Sequence, residues 1–169
     1  QYTYNDTLYA SFYKSMLPFT NELLNIDFDT DEGVNNLGYF NPDNYQSWKQ
    51  TLNLGGKDSL STKALMLNHY NYPGSGQLDA FLTPSFYLND VDSPKLFFDI
   101  AYAKFSSFNY ERLKIYVQYS CGEDSIIFNK AGSSLQSIST SKDYDWYPQP
   151  NEWKRWQLDM TNFIGDTIA

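Results

Sequence analysis

Two segments, residues 96–105 (LFFDIAYAKF) and 112–119 (RLKIYVQY), carry the clearest structural signal in the chain. In the first, Leu96, Phe98 and Ile100 fall on one face, and Pro94 marks the start. In the second, apolar residues alternate with charged and polar ones, as expected of a strand with one wet face. Both patterns predict β-strands. The short link between them, residues 105–110, predicts that they pair as an antiparallel hairpin.

Other short segments extend this prediction along the chain. Residues 64–70, 125–130 and 153–158 are strand candidates, and turns rich in Gly, Pro and Asn lie between them. Helical periodicity is weak, and its best candidate is residues 5–17. Many short strands between turn signals favour an all-β fold, either an antiparallel β-sandwich or a barrel. Because no repeat or low-complexity linker divides the chain, we expect one domain.

The composition excludes several classes of protein. The chain has 169 residues and a formal net charge of −8, and aromatic residues make up 18% of it. Nucleic-acid binding, which needs clustered Lys and Arg, is not expected, and no apolar run is long enough to span a bilayer. One Cys and one His supply neither a disulfide framework nor a multi-His zinc site. The excess of Tyr, Asn, Ser and Thr is typical of exported β-rich proteins, and a chain beginning at Gln1 is either a processed product or a piece of a longer one.

A short acidic segment suggests a cation site. Asp27, Asp29, Asp31 and Glu32 lie within six residues, and carboxylates that alternate along an extended chain point the same way. Ca²⁺ takes about six to eight oxygen ligands, so the segment predicts a calcium site closed by distant residues. The alternative is a solvated acidic loop. Asp79, before a strand candidate, is either a ligand or an acceptor for N–H groups in a turn.

The sequence supports a catalytic site less than it supports a calcium site. Many carboxylates are available for a glycosidase-type pair, but no spacing singles out two of them. A dyad of Cys121 and His69 lacks a supporting signature, which favours a packed or hydrogen-bonded His69. Exposed aromatic residues would form stacking platforms for sugars. The four Trp residues show no platform spacing, and core packing is the default for most of them: Trp48, Trp146, Trp153 and Trp156.

Together, these segments resemble a known group over residues 18–165. The similar motifs, in chain order, are PFTN at 18–21 with IDFD at 26–29, Trp48, GQLDAFLTP at 76–84, LFFDIAYA at 96–103, ERLKIYVQYSCG at 111–122, and residues 148–160 with Trp153 and Asp159. The chain is similar in these motifs to MAM-like jelly-roll domains of secreted bacterial proteins. That group comprises the cleaved-adhesin domains of gingipains, choice-of-anchor J domains and an accessory domain of secreted metalloproteases, in bacteria with type IX secretion.

The resemblance implies a jelly-roll sandwich of two antiparallel sheets over residues 18–169, preceded by a lead-in segment at 1–17, and no catalytic residues. It also implies a structural calcium ion, with Asp29 at the position of the family's opening-strand Glu and with Asp27 and Asp79 as further candidate ligands. Family domains continue with closing strands beyond the point where this sequence stops at Ala169. We therefore expect an incomplete C-terminus, with the closing strands cut away or supplied by another chain.

The same lineage suggests O-glycosylation. Bacteria of this group attach glycans at Asp-Ser or Asp-Thr followed by a small or aliphatic residue, and four positions fit: Thr7, Ser59, Ser125 and Thr167. The alternative is that these are ordinary turn pairs.

The leading functional prediction is a non-catalytic binding, adhesion or accessory module, calcium-stabilised, that belongs to a larger extracellular or cell-surface protein. Its expected partners are a protein, a glycan or a cell surface. One alternative is an accessory domain of a secreted metalloprotease whose zinc motif lies elsewhere, because no His-Glu-x-x-His occurs here. Another is a carbohydrate-binding module that uses exposed Tyr or Trp.

Overall fold

A computed structural model describes residues 24–52, 54–57, 63–72, 76–88, 92–105, 111–119 and 124–169. These residues form mostly short β-strands, which confirms the β-rich class. The strands are β1 (Gly38–Phe40), β2 (Lys49–Thr51), β3 (Ala64–Met66), β4 (Ala80–Leu82), β5 (Phe86–Tyr87), β6 (Lys95–Ile100), β7 (Arg112–Val117), β8 (Ser125–Ala131), β9 (Lys154–Asp159) and β10 (Thr167–Ile168). One α-helix, α1 (Asp31–Asn35), and four 3₁₀ turns at His69–Asn71, Gly132–Ser134, Pro150–Glu152 and Thr161–Phe163 complete the described elements.

The predicted strands at 112–119, 125–130 and 153–158 are confirmed, with shifted ends, whereas the strand predicted at 96–105 ends at Ile100 and residues 101–105 form no strand. Of the candidate at 64–70, only Ala64–Met66 is a strand, and His69–Asn71 forms a 3₁₀ turn. The helical candidate at 5–17 and the lead-in at 1–17 lie outside the described residues. No described helix is long and apolar enough to cross a membrane.

The predicted hairpin between residues 96–105 and 112–119 is wrong. Strand β6 pairs antiparallel with β9, from Lys95 opposite Asp159 to Ile100 opposite Lys154. Strand β7 instead forms the hairpin with β8, with a register shift between Ile115 and Tyr116. Beyond β6, residues 102–104 are hydrogen-bonded to 137–142, for example through the Lys142 amide and the Lys104 carbonyl at 2.8 Å.

The two long ladders pack against each other through three aromatic rings. Phe128 of β8 is 4% exposed. Its ring meets Phe98 of β6 edge-on at 5.3 Å and Trp156 of β9 edge-on at 4.9 Å between centroids. Phe98 and Trp156 are themselves opposite each other in the β6–β9 register. Because β6 contributes its apolar face to this contact, it lies across from the β7–β8 hairpin rather than beside it.

A second apolar cluster surrounds Ile168, which is 1% exposed. Strand β10 pairs with β5 on one side and bridges to Tyr119, just after β7, on the other. Two hydrogen bonds of 3.1 Å between Gln118 and Ala169 continue that second pairing. The buried members of the cluster are Leu88, Val117, Met160, Phe163 and Ile168.

Two small ladders, β1–β4 and β2–β3, position the segments that carry the candidate site. Trp48, just before β2, packs edge-on against Phe81 of β4 at 5.3 Å. Farther along, the Trp153 indole donates to the Gly55 carbonyl at 2.7 Å. At Gly55 a Cβ atom would lie 2.8 Å from the ring of Pro150, so this close approach requires glycine.

Candidate functional site

The acidic segment forms a hydrogen-bonded loop that leads into α1. The Asp29 amide donates to Asp27 Oδ1 at 2.9 Å, and the Lys63 amide donates to Asp29 Oδ1 at 2.7 Å. Thr30 caps α1 by accepting from the Gly33 amide at 3.1 Å. Only glycine fits at position 33, because a Cβ atom there would lie 1.9 Å from the Asp27 carbonyl oxygen. These two Asp side chains therefore hold a loop in shape and attach it to the start of β3.

Asp79 lies in a separate set of contacts. Its backbone carbonyl accepts from the Trp48 indole at 3.2 Å, and its Oδ2 accepts from the Tyr72 hydroxyl at 2.7 Å. Asp79 Oδ1 is enclosed and has no hydrogen-bond partner among the residues that the structure describes. Within the described part of the chain, no three His, Cys, Asp or Glu side chains are grouped so as to hold a metal ion. The proposed ligands Asp27, Asp29 and Asp79 are thus not gathered there, and calcium binding stays a prediction.

Tyr72 stands between two carboxylates. Its hydroxyl oxygen is 2.7 Å from Asp79 Oδ2 and 2.7 Å from Asp43 Oδ2. A phenol has one hydrogen and donates to one acceptor at a time, so the two carboxylates compete for it. Desolvation and the hydrogen bonds to both carboxylates raise the pKa of Tyr72 above its ordinary value. The loop before β2 is thereby joined to the segment before β4.

Aromatic rings adjoin these carboxylates, and several are exposed. The Tyr72 ring lies 6.0 Å from that of Tyr45 and is stacked on His69, also at 6.0 Å. Tyr70, next to His69 in the 3₁₀ turn, lies 5.9 Å from Phe105. Tyr45 is 59% exposed, Tyr70 47% and Phe105 41%. We call this set the aromatic–acidic surface; its members are Asp43, Tyr45, His69, Tyr70, Tyr72, Asp79 and Phe105.

A further carboxylate acts on this surface from its edge. Desolvation lowers the pKa of His69, and the negative charges of Glu111 and Asp79 oppose that shift. Glu111 also accepts a short hydrogen bond from the Tyr102 hydroxyl. Desolvation and that hydrogen bond raise the pKa of Tyr102. The environment of His69 is therefore negative, and its imidazole lies on the Tyr72 ring rather than inside a strand.

The sequence reasoning missed Asp43, Tyr45 and Tyr72. The available signal is a pair of turns: residues 41–44 contain Asp43 and directly precede Tyr45, and residues 72–76 begin with Tyr72. The expectation of packing for Trp48 and Trp156 holds, since both rings make edge contacts with Phe side chains.

Of the remaining predicted site residues, two lie in described strands and the others lie outside the described residues. Ser125, the first residue of β8, is opposite Val117, and Thr167 in β10 is opposite Tyr87. Both are half-buried, and glycosylation at either stays a prediction. Thr7, Ser59 and Cys121 lie outside the described residues.

Comparisons with known proteins identify no relative. No protein-family model, no curated protein and no solved structure matches the chain. The jelly-roll resemblance therefore rests on the sequence motifs, and the geometry of the aromatic–acidic surface is the basis for a functional proposal.

Proposed function

We propose that the protein is a non-catalytic binding module of a larger extracellular or cell-surface protein, and that it contacts its partner through the aromatic–acidic surface. The observation that carries the proposal is the exposure of Tyr45, whose ring adjoins Tyr72 between the carboxylates of Asp43 and Asp79, with the exposed Tyr70 following His69 in the same turn. Aromatic side chains give large contact area at small entropic cost, and they are enriched where proteins bind partners. Large exposed rings gathered in one place are typical of an interaction site.

A β-sandwich is the scaffold we propose for this module. The support is the edge-on contact of the Phe128 ring with Phe98 and Trp156, which links the β7–β8 ladder to the β6–β9 ladder through side chains, as between the two sheets of a sandwich. Loops at the edge of such layers are well suited to binding, because the ladders hold them while their side chains stay exposed.

Calcium stabilisation is part of the proposal. Its support is the carboxylate-rich loop at 27–32 and the enclosed, unpartnered Asp79 Oδ1. A bound ion would raise the melting temperature by mass action. We expect calcium to raise the melting temperature of the wild type and to act less on Asp29→Asn. An unchanged melting temperature on chelation would count against calcium.

Carbohydrate binding is the second candidate, because exposed Tyr45 and Tyr70 offer flat apolar faces and Asp43 offers hydrogen-bond acceptors. A glycan array and a peptide array, each probed with the labelled full chain, test for carbohydrate binding and for protein binding. The variant is Tyr45→Ala, and the control is Tyr116→Ala, which removes a 45% exposed tyrosine from β7.

Binding lost in Tyr45→Ala and kept in Tyr116→Ala supports the proposal. Absence of binding on both arrays, or binding that neither substitution changes, counts against it.

A further inference from the structure

We propose that the partner of the aromatic–acidic surface is a protein segment carrying Lys or Arg side chains. This inference rests on the proposed binding function and specifies its partner. It follows from the charge of the surface, from its hydrogen-bonding capacity and from its exposed rings.

The charge of the surface is negative and is not balanced locally. Asp43 and Asp79 both border Tyr72, and Glu111 acts on His69 from the side. In the part of the chain that the structure describes, the ion pairs are Lys63 with Asp31 and Arg155 with Asp99, so none involves these three carboxylates. A cationic partner gains from this potential, whereas an acidic glycan or an anionic membrane is repelled.

The lysine next to Phe105 in the sequence directs its ammonium group away from the aromatic–acidic surface. Lys104 precedes Phe105, and its Nζ donates to Ser133 Oγ at 3.1 Å. The exposed rings of the surface are thus not covered by this lysine.

The hydrogen-bond groups also favour a donor-rich ligand. One phenol hydrogen serves two carboxylate oxygens at Tyr72, so one acceptor there is always left over. Asp43 is exposed and reachable, and its other oxygen already accepts from the Tyr45 amide at 2.9 Å. An ammonium brings three donors and a guanidinium five, with no acceptor to oppose the carboxylates.

The exposed rings add a third contribution. A Lys or Arg side chain placed over the face of Tyr45 makes a cation–π contact, and its alkyl stem packs on the ring. Neutral sugars also stack on tyrosine faces, but they gain nothing from three carboxylates that form no ion pair with a described residue. The combination of rings and negative charge therefore selects a basic segment over a neutral glycan.

The experiment uses the full chain and three synthetic peptides. The first alternates Lys with Ser, the second has Gln in place of every Lys, and the third has Glu. Isothermal titration calorimetry at low and at moderate salt gives Kd for wild type, Asp43→Asn and Tyr45→Ala. The matched controls are Asp124→Asn and Tyr116→Ala. Asp124 is exposed and lies at the opposite end of the β7–β8 ladder from Glu111.

We expect the Lys peptide to bind and the Glu peptide not to bind. Asp43→Asn should raise Kd about two- to five-fold, as for an exposed ion pair. Tyr45→Ala should raise it about two- to five-fold through the lost cation–π contact. Both controls should leave Kd unchanged, and circular dichroism should show that all four variants are folded.

Three results would overturn the inference. If Asp43→Asn and Asp124→Asn raise the Kd of the Lys peptide equally, binding depends only on the net charge of the protein. Equal affinity for the Lys and Gln peptides means that charge is irrelevant. Binding of a neutral glycan that depends on Tyr45, without binding of the Lys peptide, rejects the basic partner while the binding module stands. If neither the arrays nor the peptides bind, both proposals fail together.

Discussion

Replacing Ile168 with alanine tests how much of the stability depends on β10. Ile168 is 1% exposed and packs in the cluster with Val117, Met160 and Phe163. Removing three buried carbon atoms costs about 2.4 kcal/mol of transfer free energy, at about 0.8 kcal/mol each. The cavity left behind raises the expected loss in the free energy of unfolding to about 3–4 kcal/mol. For a chain of this length, that corresponds to a fall in melting temperature of about 6–16 °C.

The measurement is equilibrium unfolding in urea followed by tryptophan fluorescence. Ile164→Ala is the control, because it makes the same chemical change four residues earlier at a side chain that is 44% exposed. Its partial exposure predicts a loss of about 1 kcal/mol or less. The dependence on urea should keep its slope in both variants, since neither changes the surface exposed on unfolding by much.

Similar losses for Ile168→Ala and Ile164→Ala would refute the reasoning, because β10 would then contribute no more than a surface turn. A large loss at Ile168 with a reduced slope would instead indicate that the native state itself has loosened, and the packing argument would fail in that form too.

Three further predictions concern other parts of the structure. Phe128→Ala should lower the free energy of unfolding by about 3–5 kcal/mol, because it removes the ring between the two long ladders; a loss below about 1 kcal/mol in urea unfolding would contradict that contact. Gly55→Ala should cost about 1–3 kcal/mol through overlap with Pro150, whereas Gly38→Ala, where a Cβ meets only an ordinary 3.6 Å contact, should be nearly neutral. Stability should fall as pH rises above about 10, because the pKa of Tyr72 is higher in the folded chain than in the unfolded one and the folded state retains the proton. Tyr72→Phe should make the fall in unfolding free energy shallower, and an unchanged pH profile would argue against the two-carboxylate contact.

The candidate surface shows why its residues were hard to find from the sequence. Asp43 and Asp79 are separated by 35 intervening residues, and what joins them is one hydroxyl oxygen on Tyr72. A periodic pattern locates strands, because neighbouring side chains alternate between two faces. It says nothing about which loops meet, since this depends on how the ladders stack.

The acidic loop illustrates the same limit. Alternating Asp residues predict a set of ligands, and in the structure the carboxylates of Asp27 and Asp29 accept hydrogen bonds from the backbone amides of Asp29 and Lys63. Short carboxylates readily bind nearby N–H groups, so this use competes with metal ligation wherever the chain turns. The spacing of the Asp residues along the sequence is the same whether they bind a metal ion or accept hydrogen bonds from backbone N–H groups.

By itself, the sequence determined the β-rich class and the location of the main strands, because period-two alternation is a local property that each segment carries alone. It did not determine their partners: β6 pairs with β9 and β7 with β8, against the expected hairpin of neighbours. Only the tertiary structure decided this, because the contacts of Phe128 with Phe98 and Trp156 join side chains that are far apart in the sequence. Long-range packing of apolar side chains outweighed the short link between β6 and β7. The contacts of the Tyr72 hydroxyl with Asp43 and Asp79 are likewise tertiary, since these residues lie in separate segments of the chain.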